Sequence, residues 1–278
     1  MRAFVVLVPD VERELAVDHL FSRGVAAVEE RGTDRDGFVE LWTEVGDEPA
    51  SIEAVGSSLA PGWQWRSVEI DESVAASWRA FATPTWVTDD VVIIPSWHDA
   101  MATGDALAIS IDPGASFGMG DHPTTQLTMR AMLDEIGRRT RRPLRVLDVG
   151  CGSGVLAIAA ALRGASPVVA IDISTAAVEA TNTNASANNV GAIVMASTTP
   201  LADVHATFDV VVANVLAPAL IAMAGDLRRA VADDGVLIIS GVLAGRHGHV
   251  LDALAPLATS ATLTMGGWAA VALTSNPE

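Results

Sequence analysis

No lysine and no tyrosine occur in this 278-residue chain, and there is one cysteine, Cys151. Without lysine, Schiff-base chemistry and phosphate loops built around a lysine are excluded. A single cysteine rules out internal disulfides and fits a reducing compartment. Long apolar runs are missing too: no stretch approaches the ~20 residues that cross a bilayer. Met1–Pro9 is too short for a signal peptide and has no cleavage pattern. The expectation is a cytoplasmic protein with no membrane partner. Metal binding is not expected, because His247 and His249 have no third ligand near them in sequence.

What the chain does have is acid. The formal net charge is −17, and residues 1–100 alone hold 19 acids against 7 arginines. Such a surface disfavours direct nucleic-acid binding. It fits either a basic partner or a plain solubilising surface. The arginine run Arg138-Arg-Thr-Arg-Arg142, just ahead of Pro143, reads as a solvated helix end.

Periodicity divides the chain into three parts. Residues 1–70 read as strand 3–8, helix 10–23, strands 25–30 and 37–42, helix 48–59 and strand 64–70. This β-α-β-β-α-β order is that of an α+β ferredoxin-like domain. Residues 71–105, with Trp78, Trp86, Trp97 and several prolines, read as a linker with one helix and a short hairpin. Residues 106–278 alternate strands and helices in a doubly wound α/β pattern, with strands expected at 106–111, 144–149, 167–172, 192–196, 208–213 and 235–240. Two final strands, 258–265 and 267–273, turn at Gly266-Gly267. A terminal antiparallel hairpin on a parallel sheet suits a class I S-adenosylmethionine-dependent methyltransferase better than a dehydrogenase.

The most informative motif is Val146-Leu-Asp-Val-Gly-Cys-Gly-Ser-Gly-Val155. A strand ends, glycines follow at every second position (Gly150, Gly152, Gly154), and a helix pattern begins. Glycine allows the sharp turn and lets a ligand lie on bare backbone. The next strand ends in Asp172, 22 residues after Gly150, where such folds hold the two hydroxyls of a ribose. Dinucleotide sites favour Gly-x-Gly-x-x-Gly aimed at a pyrophosphate. Here the spacing is Gly-x-Gly-x-Gly, and Asp148 just ahead would repel phosphate but could attract an ammonium. These residues favour S-adenosyl-L-methionine over a nicotinamide dinucleotide. Cys151 reads as a small packing residue, since no base neighbours it.

Two further pieces belong to the same crevice. Asp112-Pro-Gly-Ala-Ser-Phe-Gly-Met-Gly-Asp-His-Pro-Thr-Thr125 reads as a glycine-rich lid, with Phe117 closing over the site. It opens into a helix whose first turn holds Thr124 and Thr125. His122 could pair with a carboxylate or simply fix the turn. The strand Phe208-Asp-Val-Val-Val-Ala-Asn214 should put Asn214 at the crevice, because ligands sit beyond strand carboxyl ends. Val215, Leu216 and Ala217 cannot stack a base, which argues against base flipping and for an aliphatic acceptor. No dedicated general base is visible.

Together, Trp78-Arg79, Pro95-Ser-Trp97, Asp112-Pro-Gly114, Phe117-Gly118, Gly120, His122-Pro-Thr-Thr125, Asp148-Val-Gly-Cys-Gly-Ser-Gly154, Asp172 and Asn214-Val-Leu-Ala217 resemble the bacterial methyltransferases of large-subunit ribosomal protein eleven. The resemblance is firm from about 76 to 245 and looser in 1–70. It implies an N-terminal domain that grips a basic ribosomal protein. It also implies a catalytic domain that methylates lysine side chains and an N-terminal α-amine. Cofactor contacts are implied at Thr125, Gly150, Gly152, Asp172 and Asn214, with Asn214 also positioning the amine. Met119 departs from the threonine common at that position. Three competing readings stay open: a methyltransferase for lysines of an electron-transfer flavoprotein, a nicotinamide oxidoreductase, and a non-catalytic ribosome-binding module.

Overall fold

A computed structural model describes residues 2–22, 25, 28–43, 45, 49–69, 82–98, 103–112, 118–140 and 143–275. Trp78, Arg79, residues 113–117 with Phe117, and Arg141 and Arg142 lie outside the described residues. The chain divides into two compact units, Met1–Ala82 and Thr83–Glu278.

In the first unit, β1 (Arg2–Pro9), β2 (Val28–Gly32), β3 (Phe38–Thr43) and β4 (Gln64–Glu69) form an antiparallel sheet in the order β2-β3-β1-β4. Helices α1 (Arg13–Ser22) and α2 (Pro49–Ser57) complete the split βαβ arrangement expected from the pattern. Alternation does the sorting. Phe4, Val6 and Val8 of β1 face a core shared with Leu41, Leu20, Ile52 and Trp63. The helix expected over 10–23 begins later, because Asp10–Glu12 forms a separate 3-10 turn after Pro9.

The second unit holds a seven-stranded sheet. Its strands are β8 (Val146–Val149), β9 (Val168–Ile171), β10 (Val194–Ser197), β11 (Phe208–Asn214), β12 (Val231–Leu243), β13 (Ala258–Met265) and β14 (Trp268–Thr274). The order is β10-β9-β8-β11-β12-β14-β13, parallel except for β14, which runs antiparallel to both its neighbours. This is the class I methyltransferase arrangement with its terminal hairpin. Along β11, Val210 and Val212 face one core while Val211 and Ala213 face the other. The sheet is therefore covered on both sides, and each large side chain so buried contributes about 1.5–3 kcal/mol.

One expectation is corrected. Residues 106–111 do not open the doubly wound sheet. Instead β7 (Leu107–Ile111) runs parallel to β6 (Val91–Pro95), which pairs with β5 (Thr85–Thr88) in a separate three-stranded sheet. Side-chain amides, described below, hold the other edge of β7, so it needs no neighbour there. Helices α3 (Pro123–Arg138), α4 (Val155–Leu162), α5 (Thr175–Ala187), α6 (Ala217–Ala222), α7 (Ala224–Ala230) and α8 (Gly248–Leu254) complete the unit. Register brings Val149, Ile171, Ser197, Ala213 and Ser240 to one end of the sheet, and the candidate site lies there.

Candidate cofactor and acceptor site

The glycine loop is built as the motif requires. Gly150, Gly152 and Gly154 all have positive φ, at 76°, 54° and 81°. Only glycine takes this conformation without strain. Space matters as well: a Cβ on Gly150 would overlap Val215 Cγ1, and one on Gly154 would lie 2.8 Å from Thr181 Cγ2.

The loop amides are directed inward. Gly150 N and Cys151 N donate to Ile171 O at 2.8 and 3.1 Å, and Gly154 N donates to Cys151 O at 2.8 Å. Gly152 N donates to Asp172 Oδ2 at 3.0 Å, and Ala157 N donates to Asp148 Oδ2 at 3.1 Å. A loop whose amides are committed in this way cannot offer the nest of free N–H groups that holds a pyrophosphate.

Asp172, the first residue after β9, is half-buried, and its Oδ1 accepts from Ser174 N at 2.9 Å. Each carboxylate oxygen has two lone pairs, so acceptor capacity remains for vicinal hydroxyls. Next to it, Ile173 is 100% exposed. The sequence reading missed this residue. Its signal was an isoleucine directly after a strand-ending acid, where a core residue has no place.

Asp148 differs from expectation. It is 0% exposed and points into the core beside α4. Burial raises its pKa to about 7; the Ala157 amide opposes that rise and nearby Asp172 adds to it. It therefore supports the loop from beneath. Its Oδ1 is buried with no hydrogen-bond partner among the described residues. Cys151 is buried, and its thiol is pushed up to about 12, mainly by burial. Its Sγ accepts from Thr181 Oγ1 at 3.3 Å, so it is a packing residue and not a nucleophile.

On the second segment, His122 is the N-cap of α3. Its Nδ1 accepts from Thr124 N at 3.3 Å and lies 2.8 Å from Thr124 Oγ1, and burial lowers its pKa. The turn-fixing role is therefore observed, and the neighbouring Asp121 carboxylate opposes the lowering. The His122 ring also meets Trp268 edge-on at 5.3 Å, a contact across most of the catalytic sequence that local motifs could not reveal. Thr125 is 1% exposed, and its Oγ1 has no partner among the described residues. Gly118 O, on the way to this helix, accepts from Ser153 Oγ of the glycine loop at 2.7 Å.

Asn214 ends β11 opposite Ser240, partly exposed. The chain after it is wedged: Val215 fills the space over Gly150, and a Cβ on Gly241 (φ 81°) would overlap Val215 O. Gly241 was not singled out from sequence, although its place directly after the strand expected over 235–240 could have marked it. Gly150, Gly152, Asp172 and Asn214 are thus brought to one end of the sheet. Thr125 is not shown in contact with them; the Gly118–Ser153 bond ties only the segment that leads to its helix.

The profile described as ribosomal protein L11 methyltransferase (PrmA) matches residues 39–276. The chain belongs to this family. A ribosomal protein L11 methyltransferase of Geobacter sulfurreducens is 40% identical over 256 residues, covering 91% of this chain and 82% of that protein. One from Geotalea daltonii is 35% identical over 249 residues, covering 82% and 79%. The crystal structure of a ribosomal protein L11 methylase from Lactobacillus delbrueckii subsp. bulgaricus is 34% identical, with a TM-score of 0.63. That match covers 69% of this chain and 98% of the other.

This ribosomal protein L11 methyltransferase family member is an S-adenosylmethionine-dependent protein methyltransferase, and the oxidoreductase and non-catalytic readings fall. The residues present fit the cofactor, which carries no phosphate. The site has an inward-bonded glycine loop and, in Asp172, an acid with spare lone pairs. Among the described residues, no helix is long and apolar enough to cross a membrane, and no cluster of metal-ligating side chains is present.

Proposed function

We propose that the chain methylates amino groups of ribosomal protein L11, on lysine side chains and at the N-terminal α-amine. The observation that carries this is Asn214. It ends a strand at the crevice and is followed by Val215, Leu216 and Ala217, which offer an amide and aliphatic walls but no aromatic ring for a flat base. When bound, S-adenosylmethionine supplies a methyl group that its sulfonium already makes electrophilic.

The chain's own residues have the remaining tasks. Gly150 and Gly152 give the cofactor a backbone floor, Asp172 holds its ribose hydroxyls, and Ile173 offers an apolar face to its base. Thr125 contributes from the start of α3, and Asn214 orients the incoming amine. A lysine amine with a pKa of about 10.4 arrives mostly protonated. Desolvation against Val215 and Leu216 favours the neutral form that carries the lone pair. No side chain has to act as base, since His122 Nδ1 is engaged in capping α3.

Residues 1–70 are proposed as the domain that grips the substrate, and the unit Thr83–Glu278, which takes in β5 and β6 from the segment expected to be a linker, as the catalytic domain. The acidic charge of the N-terminal part suits a basic ribosomal protein rather than nucleic acid. The reaction would take place in the cytoplasm, where ribosomal proteins are made. Radiolabelled methyl transfer decides between substrates. Label should enter unmethylated L11 and not electron-transfer flavoprotein, whereas the reverse preference would overturn the assignment.

A further inference from the structure

We propose that Asn184 is a positioning residue for methyl transfer, acting through the backbone of two segments that it joins. The proposal rests on the reading of the glycine loop as the methyl-donor site. Asn184 lies on α5, is 2% exposed, and uses its whole side-chain amide. Oδ1 accepts from Asp112 N at 3.0 Å, while Nδ2 donates to Asp112 O at 2.8 Å and to Ser153 O at 2.9 Å. One turn on, Asn188 repeats the pattern on Ser110. Its Oδ1 accepts from Ser110 N at 2.9 Å, and its Nδ2 donates to Ser110 O at 2.7 Å.

The two amides imitate a neighbouring strand along the free edge of β7. The spacing makes this possible: four residues of helix rise about 6 Å, close to the roughly 6.6 Å between alternate residues of a strand. A leucine at either position would leave strand N–H and C=O groups buried and unpaired.

Only Asn184 also reaches the glycine loop. Ser153, whose carbonyl it binds, sends its own hydroxyl to Gly118 O at 2.7 Å. Just ahead on α5, Thr181 donates to Gly152 O at 3.1 Å. One helix face thus fixes the loop and the root of the segment whose later part, Gly118–His122, leads to Thr125. Asn184 sets the distance between Ser153 of the loop and Asp112, and through the loop, against which Val215 is wedged at Gly150, the alignment of methyl donor with acceptor. Thr181 and Asp172 keep the loop itself in shape without it.

The test compares Asn184→Ala with Asn188→Ala in the full-length enzyme. Melting temperature, kcat, KM and S-adenosylhomocysteine affinity by calorimetry are measured for each. Both variants lose a rung on β7, so a purely structural role would lower turnover equally in both. The expected result is a kcat loss of ~10-fold or more for N184A, with affinity for S-adenosylhomocysteine within ~3-fold of wild type and N188A within ~3-fold in both. Equal kcat losses would overturn the proposal, and so would an N184A defect confined to donor affinity. If N184A does not fold, Asn184→Asp decides, since it keeps an acceptor for Asp112 N and loses the donor to Ser153 O. Reduced kcat at near-native melting supports the proposal, and wild-type kcat overturns it. Failure of the wild-type enzyme to bind S-adenosylhomocysteine would instead count against the reading of the site.

Discussion

Asp172 accepts the amide of Gly152 at 3.0 Å, so the acid that ends one strand holds the loop that ends its neighbour. A second backbone amide, that of Ser174, binds the other oxygen. The residue is therefore a ligand acceptor and a loop tie at once. Asp172→Ala should weaken S-adenosylhomocysteine binding at least ~10-fold by calorimetry, at ~1.5–3 kcal/mol for each hydrogen bond to a charged acceptor. It should also lower the melting temperature, because two amides lose their partner. An unchanged dissociation constant would remove Asp172 from the site.

Asn214→Ala is expected to lower kcat by roughly 10²-fold, the scale of a lost positioning contact. Donor affinity should fall less than in the Asp172 variant, because contacts made mainly in the transition state act on turnover. Near-normal turnover would reduce Asn214 to a strand-end turn residue.

Gly150→Ala joins two penalties, a side chain at φ 76° and an overlap with Val215 Cγ1. The combined loss should reach at least ~2 kcal/mol in chemical denaturation. Adding Val215→Ala removes the overlap but not the backbone strain, so the double variant should recover part of the stability lost in G150A. Strict additivity would show that the two residues do not meet.

Asp148 gives a pH signature. Its carboxyl keeps its proton in the folded chain up to about 7, whereas the ordinary value is 3.8. Between those values the unfolded chain has released a proton that the native chain retains. This group therefore makes stability fall as pH rises across that window and level off above it. Asp148→Asn keeps an acceptor for the Ala157 amide and should flatten the melting temperature across the same window. An unchanged slope in the variant would assign it to other groups.

If the acidic N-terminal part recruits a basic protein, the association rate with L11 should fall as salt rises, since screening shortens to about 10 Å at 0.1 M. Removing Met1–Ala82, the first compact unit, should leave cofactor binding but abolish methylation of intact L11. Equal activity of the shortened and full-length enzymes would end the recruitment idea.

Local chemistry made much of this legible. The glycine triplet with Asp172, the strand ending in Asn214 and the hairpin at Gly266-Gly267 all express short-range rules of turn and period, and the structure places them as read. Contacts between distant segments stayed hidden. Asn184 and Asn188 looked like ordinary polar helix positions, because nothing local says that a strand edge lies against them. For the same reason 106–111 was given the wrong sheet. The inward-facing, raised-pKa Asp148 could not be read from its neighbours, since strand alternation alone leaves open which face is buried.

The most direct test is the intact mass of L11 from cells with and without this enzyme, followed by digestion to locate the change. L11 from the wild-type cells should be heavier by whole methyl groups, placed on lysines and the N-terminal amine, and cells carrying only the Asn214→Ala enzyme should make L11 of the lower mass. Identical masses in all three, or methyl groups on other atoms, would contradict the assignment of this site to amine methylation of L11.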